Sequence, residues 1–160
     1  MSAVKLSPQA VINFYSGENT EKVREREWIK KNIPFFKGFS LEEIKYLTEN
    51  AGQKEHFQKG YEILSQGEVH DHLYAILSGE ITITHNDIQN TLKKGDVFGE
   101  KAIAQENTEY SPFQAEVSKN SHLWSISKNT LNNIHLSNPT IAAKTYKKIN
   151  MILAGRIQTP

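Results

Sequence analysis

Few residues in this chain have the type and spacing to do chemistry. Gly95-Asp96-Val97-Phe98-Gly99-Glu100 sets a carboxylate directly after a glycine, at a place where the chain lacks a side chain to hold a ligand off. His70-Asp71-His72 places two imidazoles one residue apart, nitrogen donors of the kind that hold divalent metals. Ala75 and Ile76 follow that pair and Phe98 and Gly99 occupy the later glycine turn, so these positions add no metal-ligating side chain. Serine, histidine and aspartate are common enough to assemble a triad on paper, but there is no nucleophile elbow and no other ordered catalytic motif. No catalytic residue and no metal ligand is assigned. The arginines are Arg24, Arg26 and Arg156, all outside the glycine-punctuated middle of the chain.

Composition narrows the partners. At 160 residues and 38% apolar, the chain suits one compact domain with helical extensions. A formal charge of +1, from 19 basic and 18 acidic side chains, gives no general field to draw in nucleic acid or an anionic membrane. The absence of cysteine excludes disulfides and thiolate chemistry and fits a reducing compartment. Met1 to Pro8 lacks a signal-peptide core and no later stretch reaches membrane-span length, so a cytoplasmic protein is expected.

The elements that must position these residues are legible in the periodicity. Thr20 to Lys31 predicts a charged surface helix with a narrow face of Val23, Trp28 and Ile29, ended by Pro34. Ser40-Leu41-Glu42-Glu43 is a capping-box pattern, and Leu41, Ile44 and Leu47 keep helical spacing as far as Gly52. From about Lys54 to Ile126, short apolar runs between glycines predict many short antiparallel strands. Ile81 and Ile83 alternate with Thr82 and Thr84, and Phe113, Ala115 and Val117 alternate with Gln114 and Glu116. His85-Asn86-Asp87 predicts a hairpin turn before Ile88. Asn138-Pro139 predicts a capped helix start, with Ala142, Tyr146, Ile149 and Leu153 as the buried stripe of a helix reaching about Ile157. Lys144, Lys147 and Lys148 fall outside that stripe and are expected to face solvent.

Phe98-Gly99-Glu100, taken with Leu73-Tyr74-Ala75-Ile76-Leu77-Ser78-Gly79-Glu80, the turns at Gly60 and Gly67, and Leu136-Ser137-Asn138-Pro139 before the last helix, resembles the cyclic-nucleotide-binding domain family. The resemblance runs from about Ile33 to Ile157. It implies a mainly β fold with flanking helices: an antiparallel, jelly-roll-like β-roll over about 54–126, N-terminal helices, and a C-terminal hinge helix within about 128–157. It divides the chain into an extension and helix at 1–32 and a cyclic-nucleotide-binding-like domain at 33–160.

The same resemblance implies roles. Gly99 would let the backbone approach a ribose, and Glu100 would accept its 2′-hydroxyl. Lys101-Ala102-Ile103-Ala104 would form a short helix whose free amides face the cyclic phosphate. Aligning Pro112-Phe113-Gln114-Ala115-Glu116-Val117 with the family's Pro-Arg-x-Ala-x-Val pattern puts Phe113 in the place of the phosphate-binding arginine. Phe113 is expected to fill the emptied space as a core side chain, Lys101 offers only a point charge, and Glu106 and Glu109 add negative charge nearby. The ligand set is then Phe98, Gly99, Glu100, Lys101, Ala102, Ile103, Phe113 and Gln114.

The function implied is a non-enzymatic regulatory module, without a cofactor. It would sense cAMP, cGMP or another small anion with weakened or altered affinity, and relay this through the last helix. The alternative is a module that keeps the fold but binds a protein partner, or forms a homodimer, through the C-terminal helix. A cupin-like metal enzyme fails on the missing donors. Direct DNA binding is not expected, because family members of that kind carry a helix-turn-helix after the hinge helix and this sequence stops at Pro160.

Overall fold

The computed structural model describes residues 20–104 and 109–155. Helix α1 (Thr20–Asn32) leads through a 3-10 turn (Pro34–Phe36) to α2 (Leu41–Lys45), which widens into a π-helical turn (Tyr46–Ala51). Strands β1 (Gln53–Phe57), β2 (Glu62–Leu64), β3 (Val69–His70), β4 (His72–His85), β5 (Ile88–Leu92) and β6 (Val97–Phe98) follow. Next come the short α3 (Glu100–Ala104), β7 (Glu109–Tyr110), the long β8 (Gln114–Ser127), and the terminal helices α4 (Lys128–Ser137) and α5 (Pro139–Leu153).

The long strands β4 and β8 pair antiparallel and form the spine. The main sheet runs β1-β8-β4-β5, with β2 added to β8 and β6 to β4, and a separate ribbon pairs β3 with β7. All these pairings are antiparallel, as the alternation in the sequence required, and the sheet stays open. Asn86 and Asp87, both at positive φ (50° and 64°), make the two-residue turn of the β4–β5 hairpin. Their left-handed conformation matches the twist of the flanking strands.

The spine buries apolar side chains on both faces. One cluster packs Leu73, Ala75, Leu77, Trp124 and Ile126 against the helices, through Ile29, Phe35, Phe36, Leu47, Leu131 and Ile149 among others. The other packs Ile76, Ile81, Ile83, Ala115, Val117 and Leu123 inside the roll with Leu64, Leu92 and Phe98. On β4 the odd residues change sides, from the helices at Leu73–Leu77 to the roll interior at Ile81 and Ile83. The β4–β8 register slips between Ile76 and Ile81, and such irregularities switch which face a side chain meets.

The helical elements follow the sequence with local differences. The capping box is formed: Glu43 N donates to Ser40 Oγ (3.1 Å) and Ser40 N donates to Glu43 Oε1 (2.8 Å). On α1 the buried face is Val23, Arg26 and Ile29, while Trp28 is 40% exposed, so Arg26 takes the inward place expected of the indole. The guanidinium tolerates burial because Nη2 lies 2.8 Å from Glu49 Oε2. Pro139 does start α5, but Asn138 makes no side-chain cap and only its carbonyl accepts, from Ala142 N (3.0 Å). The buried stripe of α5 is Ile141, Ala142, Thr145, Ile149 and Ile152; Tyr146 is half-buried and Leu153 exposed, and Ile157 lies outside the described residues. Leu153 sits one position past Ile152, which takes the inward place at the end of the helix.

Glu43 also binds α5, receiving Lys144 Nζ at 2.6 Å. Partial burial would raise its pKa, but the hydrogen bonds from Lys144 and from the Ser40 N–H outweigh this and hold it below the ordinary 4.5. A lowered carboxylate pKa adds stability that is present above the ordinary value and is lost as pH falls through the lowered one. Glu43→Gln is therefore expected to cost a few tenths to about 1 kcal/mol at neutral pH. That cost should fade below about pH 4 in urea melts at stepped pH; a cost that does not change with pH would count against the assignment.

Candidate functional site

The turn between β5 and β6 delivers the chain into the site. Gly95 N donates to Ile76 O (2.8 Å) and Ile76 N to Asp96 O (2.9 Å), which fixes β6 beside β4 with Phe98 opposite Tyr74. Phe98 is fully buried, its ring stacked on that of Tyr74 at 4.8 Å, and it supports the floor from below. Burial, helped by Glu55, Asp71 and Glu68, pushes the Tyr74 phenol up to about 12, so it stays neutral.

A cavity of about 450 Å³ opens above this floor. It is lined by Gly99, Glu100, Lys101 and Ala102 on one side and Tyr110, Pro112 and Phe113 on another, with Ile83, His85, Asn90 and His70 completing the walls. Of the residues singled out from the sequence, Gly99, Glu100, Lys101, Ala102 and Phe113 thus share one concavity. Phe98 lies beneath it, Ile103 faces away into the helical core, and Gln114 sits half-buried opposite Thr84 at the start of β8. Glu106 falls outside the described residues; Glu109 is described only through its backbone, which pairs with His70.

Gly99 has a reason to be glycine that involves no ligand. Its φ is +93°, and a Cβ there would stand 2.2 Å from the His72 carbonyl oxygen and 2.8 Å from His70 Nε2. Glu100 is buried at 6% exposure in the cavity wall and opens α3. Lys101 is exposed at the same end of that helix. Among the described residues Arg24 is exposed on α1 and Arg26 is held by Glu49, so neither reaches the cavity. Phe113 is half-buried and packs edge-on against the rings of His70 (5.7 Å) and Phe98 (6.5 Å), so it narrows the cavity without closing it.

The histidines and Asn90 were not foreseen as part of this site. His85 at the end of β4 has both ring nitrogens engaged: Nδ1 donates to the Pro112 carbonyl (2.7 Å), and the Asn86 amide nitrogen lies 3.2 Å from Nε2. His70 is different. It is 6% exposed, and its Nε2 has no hydrogen-bond partner, a condition shared among the described residues only with Ser118 Oγ. Burial lowers its pKa below 6.5, with His72 adding to the effect and Asp71 opposing it. Leaving such a group unpaired costs about 1–3 kcal/mol. The His-x-His spacing did mark this residue; His72 Nδ1 turns to Asp71 (2.7 Å), and no group of three or more side chains placed to hold a metal occurs among the described residues.

The cyclic nucleotide-binding domain model matches residues 54–138, more than half of the sequence. The chain belongs to the cyclic nucleotide-binding domain family. This is a family of regulatory binding domains. Solved structures agree on the fold. A cyclic nucleotide-binding domain from Methylobacillus flagellatus is 21% identical, with a TM-score of 0.67, covering 85% of this chain and 76% of that one. A putative cyclic nucleotide-binding protein from Geobacter metallireducens is 17% identical at a TM-score of 0.65, covering 82% and 96%. The sensor domain of the transcriptional regulator DNR from Pseudomonas aeruginosa is 16% identical at 0.64, covering 86% and 94%. No helix among the described residues is long and apolar enough to cross a membrane.

Gly99→Ala is expected to destabilise the protein by about 1–3 kcal/mol through collision and strain together. Gly67, with φ +83° and nothing within 4 Å of its would-be Cβ, isolates the conformational part. Urea melts should therefore rank Gly99→Ala well below Gly67→Ala; equal losses would mean that the contact with His72 is not tight.

Proposed function

We propose that this chain is a non-enzymatic sensor module that takes a cyclic nucleotide into the cavity over Gly99, Glu100 and Ala102, with affinity weakened by the missing arginine. The observation that carries this reading is the cavity itself: about 450 Å³, with Glu100 among the residues of its wall. That size suits a small-molecule ligand. A carboxylate has several lone-pair sites, so Glu100 can accept a ribose hydroxyl beside the contacts it already makes. An arginine fork on a phosphate is worth about 1.5–3 kcal/mol, and Phe113 offers none of it. Lys101 supplies charge at the rim without that geometry.

The relay runs through α3. Lys101 and Ala102 line the cavity, while Ile103 packs in the cluster that contains Ile149 and Ile152 of α5. A ligand that draws on α3 acts on the last helix by the difference in its contacts between the two positions. The likeness in fold to the sensor domain of a transcriptional regulator fits such a role by analogy.

Calorimetric titration with cAMP and cGMP tests the reading. Saturable binding between about 1 µM and about 1 mM is expected. Glu100→Ala should abolish it, and Phe113→Arg should tighten it roughly ten- to a hundredfold. Silence at about 5 mM ligand would overturn the proposal.

The interaction-module reading has one observation of its own. Leu136 (77% exposed) and Leu153 (44% exposed) leave apolar side chains bare on α4 and α5. If these helices mediate a homodimer, light scattering gives a mass that doubles with concentration, and Leu153→Glu abolishes the increase. A concentration-independent monomer removes the homodimer.

A further inference from the structure

We infer that His70 is the residue that meets the ligand's negative charge in this cavity, so that binding takes up a proton; this deepens the cyclic-nucleotide reading and rests on it. His70 lines the cavity, is 6% exposed, and carries a ring nitrogen without a partner. The other cavity groups are poorer candidates. His85 already uses both ring nitrogens, on Pro112 and Asn86. Lys101 is exposed, and its ammonium is solvated. His70 Nε2 is buried beside Gly99, itself part of the cavity lining, and a hydrogen bond made to an anion in a low-dielectric wall is stronger than one made in water. His70 also adjoins Phe113, 5.7 Å between ring centres, and so stands beside the position that the resemblance gives to the absent guanidinium.

The charged and titratable surroundings set the sign. Asp71 and His72 adjoin His70 in sequence and are joined to each other at 2.7 Å. Glu109 is its cross-strand partner on β7. Glu100 and Lys101 come from α3, and His85 and Tyr110 from the remaining walls. In the empty cavity burial lowers the pKa of His70 below 6.5, which keeps the ring neutral at neutral pH. A ligand anion favours the charged ring and raises that pKa, so affinity rises as pH falls through the bound-state value and levels off below the empty-state value. A cyclic phosphodiester keeps its single negative charge throughout this range, and the pH dependence reports on the protein.

The test is calorimetric titration of the whole chain with cAMP and cGMP from about pH 5.5 to about 8, in buffer pairs with different ionisation heats. Affinity should strengthen toward acid by no more than about tenfold per pH unit, with uptake of up to about one proton. His70→Gln, which keeps an amide donor, should still bind but with a flat profile and no dependence on buffer. Should that variant fail to fold, the assigned ring resonances of His70 in the wild-type NMR spectrum decide, because they should move from neutral to charged positions on adding nucleotide near pH 6.5. Binding without proton uptake, or pH dependence that survives His70→Gln, overturns the assignment and leaves the nucleotide reading standing. Silence at every pH overturns both.

Discussion

The indole N–H of Trp124 donates to the carbonyl of Leu47 across 2.8 Å, and this bond ties the sheet to the helices. Leu47 can offer the bond because the chain there forms a π-turn, in which Gly52 N reaches the same oxygen at 2.9 Å. Gly52 must lack a side chain, since a Cβ would stand 2.5 Å from both the oxygen and the indole nitrogen. Trp124 sits in β8, facing Ala75 of β4 and Lys54 of β1, and its ring meets Phe36 at 5.0 Å and Phe35 at 5.5 Å. Everything on the helical side of the sheet is placed relative to this contact. Without it a buried indole N–H would lose its partner, a penalty of about 1–3 kcal/mol, large against the net stability of a small domain.

The cavity lies on the opposite side of the same strands, and α3 is the partition between the two regions. Along it, Glu100, Lys101 and Ala102 line the cavity and Ile103 enters the helical cluster. The electrostatics of the cavity are sparse. One buried carboxylate, one exposed ammonium, one engaged imidazole and one imidazole with an open nitrogen do not add up to a site that holds an anion by charge in the empty state.

Local rules carried far in this sequence. Ser40 and Glu43 announce a capping box, Asn86-Asp87 a tight hairpin, and the alternations at Ile81–Thr84 and Ala115–Val117 the wet and dry faces of β4 and β8. Of Phe98-Gly99-Glu100, Gly99 and Glu100 line the cavity. What eluded the sequence depends on partners far along the chain. Arg26 is buried in place of Trp28 because Glu49, on another element, neutralises it. Ile103 follows Ala102 by one position yet leaves the cavity, since successive residues on a helix point about 100° apart. His70 had no role assigned from the sequence, and it is the β3–β7 ribbon that sets its ring against Gly99. The helical spacing of Ala142 and Ile149 was right, but the slow rotation of the stripe around α5 brings Ile152 inward and leaves Leu153 outside.

Two apolar clusters on opposite faces of one pair of strands also shape how such a protein can diverge. The cluster around Trp124 packs the helices on the sheet, whereas the cavity side chains border an open space on the other side. Phe113 and His70 both lie outside the Trp124 cluster. Chains only 16–21% identical share this architecture at TM-scores of 0.64–0.67.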